Sequence, residues 1–236
     1  MIDCNFLLEE AERAGISLNP NGLYRYDLYA DRLVTVNKFM NLTAITDPQE
    51  IVIKHFIDCL YITKYIKFEA WQKLVDIGSG AGFPGFPLLM EKPFLDVTFV
   101  DSLRKRIDFL EGMLGYAWLD GTCLHARAEH LGQNAEYRET FDYATARAVA
   151  PLNVLCEYAL PLVKLGGQFV SLKGSSGLDE LKDAENAIKL LGGEVETADE
   201  YKLSNGDGRS IIIVRKISQT PTKYPRTSKR IDSKPL

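Results

Sequence analysis

Residues 74–89, LVDIGSGAGFPGFPLL, join a strand-like apolar run to a glycine-rich turn and then to the start of a predicted helix. This order is typical of the first strand, turn and helix of a parallel α/β sheet. The glycines lack a Cβ atom and accept positive φ angles, so a ligand can come close to the backbone of the turn. The N–H groups at the start of the helix favour a negatively charged ligand group. The segment therefore predicts the sheet type and the place where a ligand binds.

The rest of the chain repeats the alternation of strand and helix. Short runs rich in β-branched or aromatic residues predict parallel strands at KLVDIG, DVTFVD, GTCLHA, FDYATA and QFVSLK. The segments between them have helical periodicity, and the last helix is predicted to end at Gly192 and Gly193. The final runs, GEVETADEYKL and SIIIVRKI, have no helix between them and predict an antiparallel hairpin. We expect a Rossmann-like, mostly parallel, doubly wound α/β sheet of seven strands.

A helical extension precedes the predicted sheet. Apolar residues recur at helical spacing from Pro20 to Met40 and from Pro48 to Ile66, on either side of the polar connection NLTAITD. His55 and Asp58 fall on one face of the second helix, where we predict that they form a hydrogen-bonded pair. We divide the chain into a helical extension at 1–70, a domain that contains the sheet at 71–216 and a basic tail at 217–236.

The composition limits the class of protein. With 236 residues, of which 46% are hydrophobic and 25% charged, the chain has enough apolar material for one sizeable globular core. It has no apolar run of about 18 residues, as a membrane span requires, and its first residues, MIDCNFLLEEAER, are acidic where a signal peptide is basic. The scattered cysteines and the three histidines show neither disulfide nor metal-ligand spacing. We therefore expect a cytoplasmic protein with no membrane span and no bound metal.

Charge is unevenly distributed along the chain. Residues 215–236 carry seven basic side chains and one acidic side chain, although the whole chain has a net charge of −4. A basic end rich in Pro, Ser and Thr is typical of a segment that contacts phosphates, and it is equally typical of a solvated, partly disordered terminus. The charge alone leaves both interpretations open.

Two cofactor classes fit the glycine turn. Gly80, Gly82 and Gly85 satisfy the pattern G-x-G-x-x-G, and Asp101 follows about 20 residues later, as in sites for nicotinamide dinucleotides. Asp76, however, provides a carboxylate that could hold a cationic amino group, which the pyrophosphate of a dinucleotide would not favour. S-adenosylmethionine carries an ammonium and a sulfonium, and the ribose hydroxyls would bind Asp101. We therefore favour S-adenosylmethionine and keep a nicotinamide-dependent oxidoreductase as the alternative. The predicted cofactor residues of this region are Asp76, Gly78, Gly80, Gly82 and Asp101.

Taken together, several motifs resemble a known family. DIGSGAGFPG, VDSLRKRIDFLE, HARAEHL, FDYATARAVAPL and TPTKYPR are similar to the RsmG (GidB) family of bacterial 16S ribosomal RNA guanine-N7 methyltransferases, from about Asn37 to the C-terminus. The resemblance implies that 71–216 is a class I methyltransferase domain that uses S-adenosylmethionine. It also implies that Arg147 lies beside the methionine end of the cofactor and the incoming guanine. The other cofactor contacts that it implies are Gly78 and Phe83, Asp101 at the ribose, and Ala128 with Glu129 at the adenine.

The fourth predicted strand lacks two common catalytic motifs. FDYATARAVAPL contains neither the (N/D)PP(Y/F) motif of amino-group methyltransferases nor the Pro-Cys nucleophile of cytosine C5 enzymes. Guanine N7 requires neither, because it has an in-plane lone pair and no proton to lose before attack. We predict catalysis mainly by proximity, with Arg147 as the catalytic residue that orients the guanine through its O6 and N7 edge. An arginine in this apolar stretch should also have an acidic or a functional partner.

The predicted substrate is 16S ribosomal RNA, either free or in a small ribosomal subunit. The target guanine should lie in an accessible loop, because the major groove of A-form RNA is too deep and narrow for a protein to reach N7. The predicted RNA contacts are Asn41, Lys173, Lys223 and Arg226. We expect a monomeric enzyme, and the second alternative is a non-catalytic RNA-binding module that uses the basic tail.

Overall fold

A single mixed sheet organises the computed structural model, which describes residues 2–236. Its strands are β1 (Lys73–Ile77), β2 (Asp96–Asp101), β3 (Thr122–His125), β4 (Phe141–Arg147), β5 (Val163–Gly174), β6 (Gly193–Lys202) and β7 (Gly208–Lys216). They lie in the order β3-β2-β1-β4-β5-β7-β6. β1 to β5 are parallel, and β7 pairs antiparallel with β5 and with β6. The predicted sheet type, strand number and terminal hairpin are confirmed.

Helices cover both faces of the sheet. They are α1 (Cys4–Ala14), α2 (Leu23–Met40), α3 (Pro48–Ile51), α4 (Asp58–Leu60), α5 (Gly85–Glu91), α6 (Arg104–Ala117), α7 (Ala128–Gln133), α8 (Leu152–Ala159), α9 (Gly177–Leu190) and α10 (Ser228–Ser233). α1 to α6 form one hydrophobic core with the sheet, and α7 to α9 form a second core on the opposite face. Among residues 2–236, no helix combines the length and the apolar character needed to cross a bilayer.

The helical extension shares its core with the sheet. Leu7, Tyr26 and Phe56 are fully buried in the same cluster as Leu74 of β1 and Phe99 of β2. Removing the extension would therefore expose one face of the sheet to water. The free-energy cost of exposing apolar surface is roughly 25 cal/mol per Å². The domain boundaries at residues 70 and 216 stay predictions.

The helix predicted from Pro48 to Ile66 is present as far as Lys64, but its middle is irregular. α3 continues into a π-helical turn, Val52–Ile57, then into α4 and a 3-10 turn, Tyr61–Lys64. In the π-helical turn the N–H of Asp58 donates to the carbonyl of Ile53, five residues earlier. Such turns are frequent at functional sites, and apolar spacing alone does not predict them.

The basic tail is folded onto the second face of the sheet. The guanidinium of Arg138 donates to the carbonyls of Thr220, Pro221 and Tyr224. Ile231, in α10, is fully buried. These contacts exclude the interpretation of the tail as a solvated terminus.

Candidate functional site

Two neighbouring cavities open at the carboxyl ends of the parallel strands, the edge where open α/β sheets bind ligands. The small cavity, of about 220 Å³, is lined by the segments that follow β1, β2 and β3, together with Tyr158 and Asp232. The large cavity, of about 580 Å³, is lined by the segments that follow β4 and β5 and by residues of the π-helical turn. Val149 and Ala150 line both cavities. One short segment after β4 therefore separates two spaces that could hold two reactants.

The glycine turn after β1 has the backbone conformation that its sequence predicts. Gly78, Gly80 and Gly82 have φ angles of 63°, 60° and 95°. A Cβ atom on Gly78 would lie 2.7 Å from a methyl carbon of Val149, and one on Gly82 would lie 2.8 Å from a methyl carbon of Leu110. A side chain at Gly78 or Gly82 would therefore strain the backbone and collide with its neighbours. Gly78 itself lines the small cavity.

Asp101, at the end of β2, holds the glycine turn from the other side of the small cavity. One carboxylate oxygen accepts from the N–H of Gly80 at 2.9 Å and from Arg106 at 3.2 Å. The other accepts from the N–H of Leu103 at 2.8 Å. A carboxylate has about four acceptor positions, so Asp101 still has acceptor capacity for a hydroxyl donor in the cavity.

Asp76 lies behind the glycine turn. Its side chain is fully buried, accepts from the N–H of Gly85 at 3.1 Å and from the hydroxyl of Thr145 at 3.2 Å. It lines neither cavity. The contacts connect β1, β4 and the start of α5, so in this structure Asp76 shapes the turn. Direct binding of a cofactor amino group by Asp76 stays a prediction.

The pH dependence of stability should reveal the setting of Asp76. Burial raises the pKa of Asp76 from 3.8 to about 7. Because the folded-state pKa exceeds the unfolded-state pKa, the contribution of this group to stability is present below about pH 4 and is lost as the pH rises through about 7. Relative to Asp76→Asn, the wild-type free energy of unfolding should fall over this range by on the order of 1 kcal/mol per pH unit. Urea unfolding of the ligand-free protein at a series of pH values measures this change in the free energy of unfolding.

Exposed Asp120 provides the matched control for this measurement. The substitution Asp120→Asn should leave the pH dependence of the unfolding free energy as in the wild type. Parallel pH curves for the wild type and Asp76→Asn would contradict the prediction.

Glu129, at the start of α7, provides an acceptor without a partner. It is 4% exposed, lines the small cavity beside Ala128, and its Oε1 atom has no hydrogen-bond partner among the described residues. Leaving a buried acceptor unpaired costs about 1–3 kcal/mol, so the atom suits a donor on a ligand. The small cavity thus offers acceptors at Asp101 and at Glu129 and an open backbone at Gly78. These features fit the ribose hydroxyls and the adenine amino group of S-adenosylmethionine.

Arg147, at the end of β4, is the centre of the large cavity. Its Nη1 atom donates to the carbonyl of Lys54 at 2.8 Å and to Oδ2 of Asp58 at 3.2 Å, and its Nη2 atom donates to Nδ1 of His55 at 2.9 Å. The guanidinium carbon lies 4.8 Å from the ring centroid of Phe83. Asp58 is the acidic partner that the sequence led us to expect, and the guanidinium is fixed by contacts from the helical extension.

His55 is held in its neutral form. Its ring stacks on Phe83 with centroids 4.2 Å apart, and Nε2 lies 2.9 Å from the hydroxyl of Thr43. Burial and the charge of Arg147 lower the pKa of His55 to about 3. Because Nδ1 accepts from Arg147, Nε2 carries the proton and donates to Thr43. The predicted direct pair between His55 and Asp58 is therefore replaced by a shared partner, Arg147.

The ionisable groups of the large cavity all have ion-pair or hydrogen-bond partners, either in the cavity or next to it. Asp58 also accepts from the hydroxyl of Tyr201 at 2.9 Å and from Arg209 at 3.3 Å. Lys173 binds Glu180 at 2.7 Å, and Lys54 binds Glu50 at 2.8 Å. Several charged side chains therefore line the cavity, and each has a partner of opposite charge.

The predicted RNA contacts lie in three different places. Lys173 lines the large cavity. Asn41 is exposed at the end of α2, and Lys223 is exposed in the tail. Arg226 forms hydrogen bonds to both carboxylate oxygens of Glu157, which is fully buried. The structure thus brings only Lys173 to either cavity.

Some site residues were not predicted. In the large cavity they are Arg209 and Lys54, whose carbonyl accepts a hydrogen bond from Arg147. In the small cavity they are Tyr158 and Asp232. Their partners lie far away in the sequence, so no local motif marks them. Asp232 was visible only as the one acidic residue in a basic tail.

A family model, sequence relatives and a solved structure that match this chain are all methyltransferases. A family model described as rRNA small subunit methyltransferase G (GidB) matches residues 24–209. Proteins named Ribosomal RNA small subunit methyltransferase G are 45% identical over 232 residues in Leuconostoc mesenteroides, covering 97% of each chain, and 47% identical over 214 residues in Bacillus subtilis strain 168, covering 90% of each chain. The structure of a SAM-dependent O-methyltransferase from Thermotoga maritima matches with a TM-score of 0.53 and 14% identity, over 80% of this chain and 72% of that chain. At that identity the match concerns the fold alone, a Rossmann-like methyltransferase fold.

Proposed function

The chain belongs to the GidB family of rRNA small subunit methyltransferases, and we propose that it methylates N7 of a guanine in an exposed loop of 16S ribosomal RNA. The methyl donor is S-adenosylmethionine. One observation carries the choice of N7: the ionisable side chains of the large cavity are paired, and none is poised to accept a proton. A nucleophile that has no proton to lose suits such a cavity.

The small cavity would hold the adenosine part of the cofactor. Asp101 would accept hydrogen bonds from the ribose, Ala128 and Glu129 would contact the adenine, and the backbone at Gly78 would adjoin the ligand. Bound S-adenosylmethionine supplies an electrophilic methyl group on its sulfonium. Val149 and Ala150, which line both cavities, would lie beside the methionine end of the cofactor, on the side of Arg147.

Arg147 orients the guanine in the large cavity. A guanidinium has five N–H donors, and three are used by Lys54, Asp58 and His55. The remaining donors suit O6 of guanine, which arginine often binds, and this leaves the N7 lone pair free for attack. If these residues held the base in line with the methyl group of the cofactor, proximity alone would supply a rate advantage of ~10⁵-fold or more.

The rate of methyl transfer should be nearly independent of pH between about 6 and 8.5. A bell-shaped profile reports an acid and a base, and His55, with a pKa lowered to about 3, stays neutral over this range. Arginine stays protonated throughout. Rapid-quench single-turnover assays with saturating enzyme and cofactor measure this profile. Saturation is needed because the pKa of Asp76 in the ligand-free protein is about 7, which affects cofactor binding if Asp76 contacts the cofactor. A rate that rises tenfold per pH unit through neutrality would contradict N7 as the nucleophile.

Contacts to the RNA extend beyond the cavities. We propose that exposed Asn41 and Lys223 contact the RNA backbone. Lys173 forms an ion pair with Glu180, and Arg226 forms one with Glu157. The main role of these two side chains is therefore to position neighbouring segments, and contact with phosphates is secondary. The point substitution Lys223→Ala tests the contribution of the tail to RNA binding, because deletion of the tail would also remove a wall of the small cavity.

Mapping the modified base tests the proposed function. Small ribosomal subunits from a strain that lacks this gene are incubated with the enzyme and methyl-labelled S-adenosylmethionine, in parallel with free 16S RNA. We expect one labelled guanine, methylated at N7, whereas subunits from the parent strain take up no label because that guanine is already modified. Label on an exocyclic amine would overturn the N7 assignment. No transfer to either substrate would overturn the function.

The proposed enzyme acts as a monomer in the cytoplasm, where ribosomal RNA is its substrate. The nicotinamide-dependent oxidoreductase is not favoured, because the matched family and relatives are methyltransferases. A non-catalytic RNA-binding module is disfavoured by the cavity that fits S-adenosylmethionine beside Arg147.

A further inference from the structure

The C-terminal helix closes one side of the small cavity. Tyr158 from α8 and Asp232 from α10 line the cavity together with Gly78, Asp101 and Glu129 from the loops. Burial and the charges of Asp232 and Glu129 raise the pKa of Tyr158 to about 12. The hydroxyl of Tyr158 therefore stays protonated and donates to Asp232 in a long hydrogen bond of 3.4 Å.

The position of Asp232 is fixed by buried contacts of the tail. Ile231, its neighbour in α10, is fully buried. Arg226 forms hydrogen bonds to Glu157 through its backbone N–H at 2.8 Å and through its guanidinium at 2.6–3.1 Å. Pairs of this kind, with two parallel hydrogen bonds, restrict geometry strongly. The backbone at Asp232 is thus docked beside the cavity, and its exposed side chain lines the cavity.

Two acceptors of the cavity have unused capacity. Oε1 of Glu129 is buried and has no hydrogen-bond partner among residues 2–236. Within the same residues, the side chain of Asp232 accepts only the long hydrogen bond from Tyr158. The exocyclic amino group of adenine carries two N–H donors. Asp101, by contrast, already accepts hydrogen bonds from Gly80 in the glycine turn, from Leu103 and from Arg106 in α6, and its remaining acceptor capacity suits the ribose.

We propose that Asp232 is a cofactor-binding residue that, with Glu129, accepts the two N–H donors of the adenine amino group. The C-terminal helix then sets specificity for adenine over a base that presents an oxygen at the same place. The assignment rests on the proposed function, because the small cavity must receive S-adenosylmethionine. It gives the tail a role in cofactor recognition in addition to any contact with RNA.

Calorimetric titration with two cofactor analogues tests the assignment. S-adenosylhomocysteine carries the amino group, and S-inosylhomocysteine carries a carbonyl oxygen in its place. For the full-length protein, Asp232→Ala should weaken binding of S-adenosylhomocysteine about tenfold, as expected for a lost hydrogen bond to a charged acceptor at a partly exposed site. It should leave the affinity for S-inosylhomocysteine unchanged or improved, because an oxygen–carboxylate repulsion is removed.

Lys234→Ala is the matched control, since Lys234 lies two residues further along the tail and lines neither cavity. It should leave both affinities as in the wild type. Equal losses for both analogues in Asp232→Ala would show that the residue acts only through the position of the tail, and no loss for either would exclude the contact; both results overturn the assignment. Failure of the wild type to bind S-adenosylhomocysteine would instead overturn the proposed function.

Discussion

Replacing Gly78 by valine is expected to abolish binding of S-adenosylhomocysteine. Gly78 has a φ of 63°, a conformation that side chains with a Cβ atom disfavour. Its added Cβ atom would lie 2.7 Å from Val149, at the wall of the small cavity. Relieving such a collision in a packed site costs roughly 1–3 kcal/mol, and it would displace Val149 or the glycine turn, which both line the cavity. We expect affinity to fall at least about 100-fold, or roughly 3 kcal/mol, by calorimetric titration.

A second glycine separates backbone strain from the loss of ligand space. Gly166, in β5, has a φ of 79°, and a Cβ atom there would meet nothing within 4 Å. Gly166→Val introduces comparable strain away from both cavities, so it should lower stability and leave the affinity for S-adenosylhomocysteine nearly unchanged. If the two variants lost affinity equally, the close approach of the ligand at Gly78 would be disproved.

Substitution of Arg147 by alanine should slow methyl transfer by on the order of 100-fold at saturating RNA and cofactor. The guanidinium is the fixed donor of the large cavity, held by Lys54, Asp58 and His55. Arg147→Lys should recover little of the rate, because a single ammonium cannot replace the fork of donors that binds these groups and the base together. Single-turnover assays, with the product base identified by mass spectrometry, measure the effect.

The slowed Arg147→Ala enzyme should show no new pH dependence, because the lost group only positions and never exchanges a proton. Arg215→Ala is a suitable control, since Arg215 lies on β7, pairs with Glu196 and is far more exposed. It should retain the wild-type rate. Asp58 keeps Tyr201 and Arg209 as partners in Arg147→Ala, so we expect a folded variant, checked by thermal unfolding. A wild-type rate would eliminate Arg147 as the orienting residue.

The sheet was predictable from the sequence because its signals are local. Most of the strands contain a short apolar run that is visible within a few residues: in β7, Ile211 and Ile213 enter one core while Ile212 and Val214 enter the other. The glycine turn was also predictable from local sequence, because glycine readily adopts a positive φ angle, as Gly78 does.

The network of the large cavity was only partly predictable. The sequence indicated that Arg147 needs an acidic partner, but the partner, Asp58, is 89 residues away. The tail is a similar case, because Arg226 binds Glu157 across 69 residues. The sequence shows which residues are charged but not which residues they pair with. A solvated basic tail and a basic tail that is docked on the sheet therefore look alike in the sequence.

One local signal was missed. Asp3 caps α1 by accepting from the N–H groups of Asn5 and Phe6, and Gly15 ends it with a φ of 68°. Both are standard helix boundaries. The helical runs predicted from the sequence begin at Pro20 and do not include α1.

The π-helical turn Val52–Ile57 limits how the length of the chain can vary. Its hydrogen bonds span five residues in place of four, so deletion of one residue would restore a regular α-helix. Each residue of an α-helix advances by about 100°, and the deletion would rotate Asp58 away from the side on which the carbonyl of Lys54 faces Arg147. Related sequences should therefore tolerate substitutions at the exposed positions of this segment far better than insertions or deletions between Pro48 and Asp58.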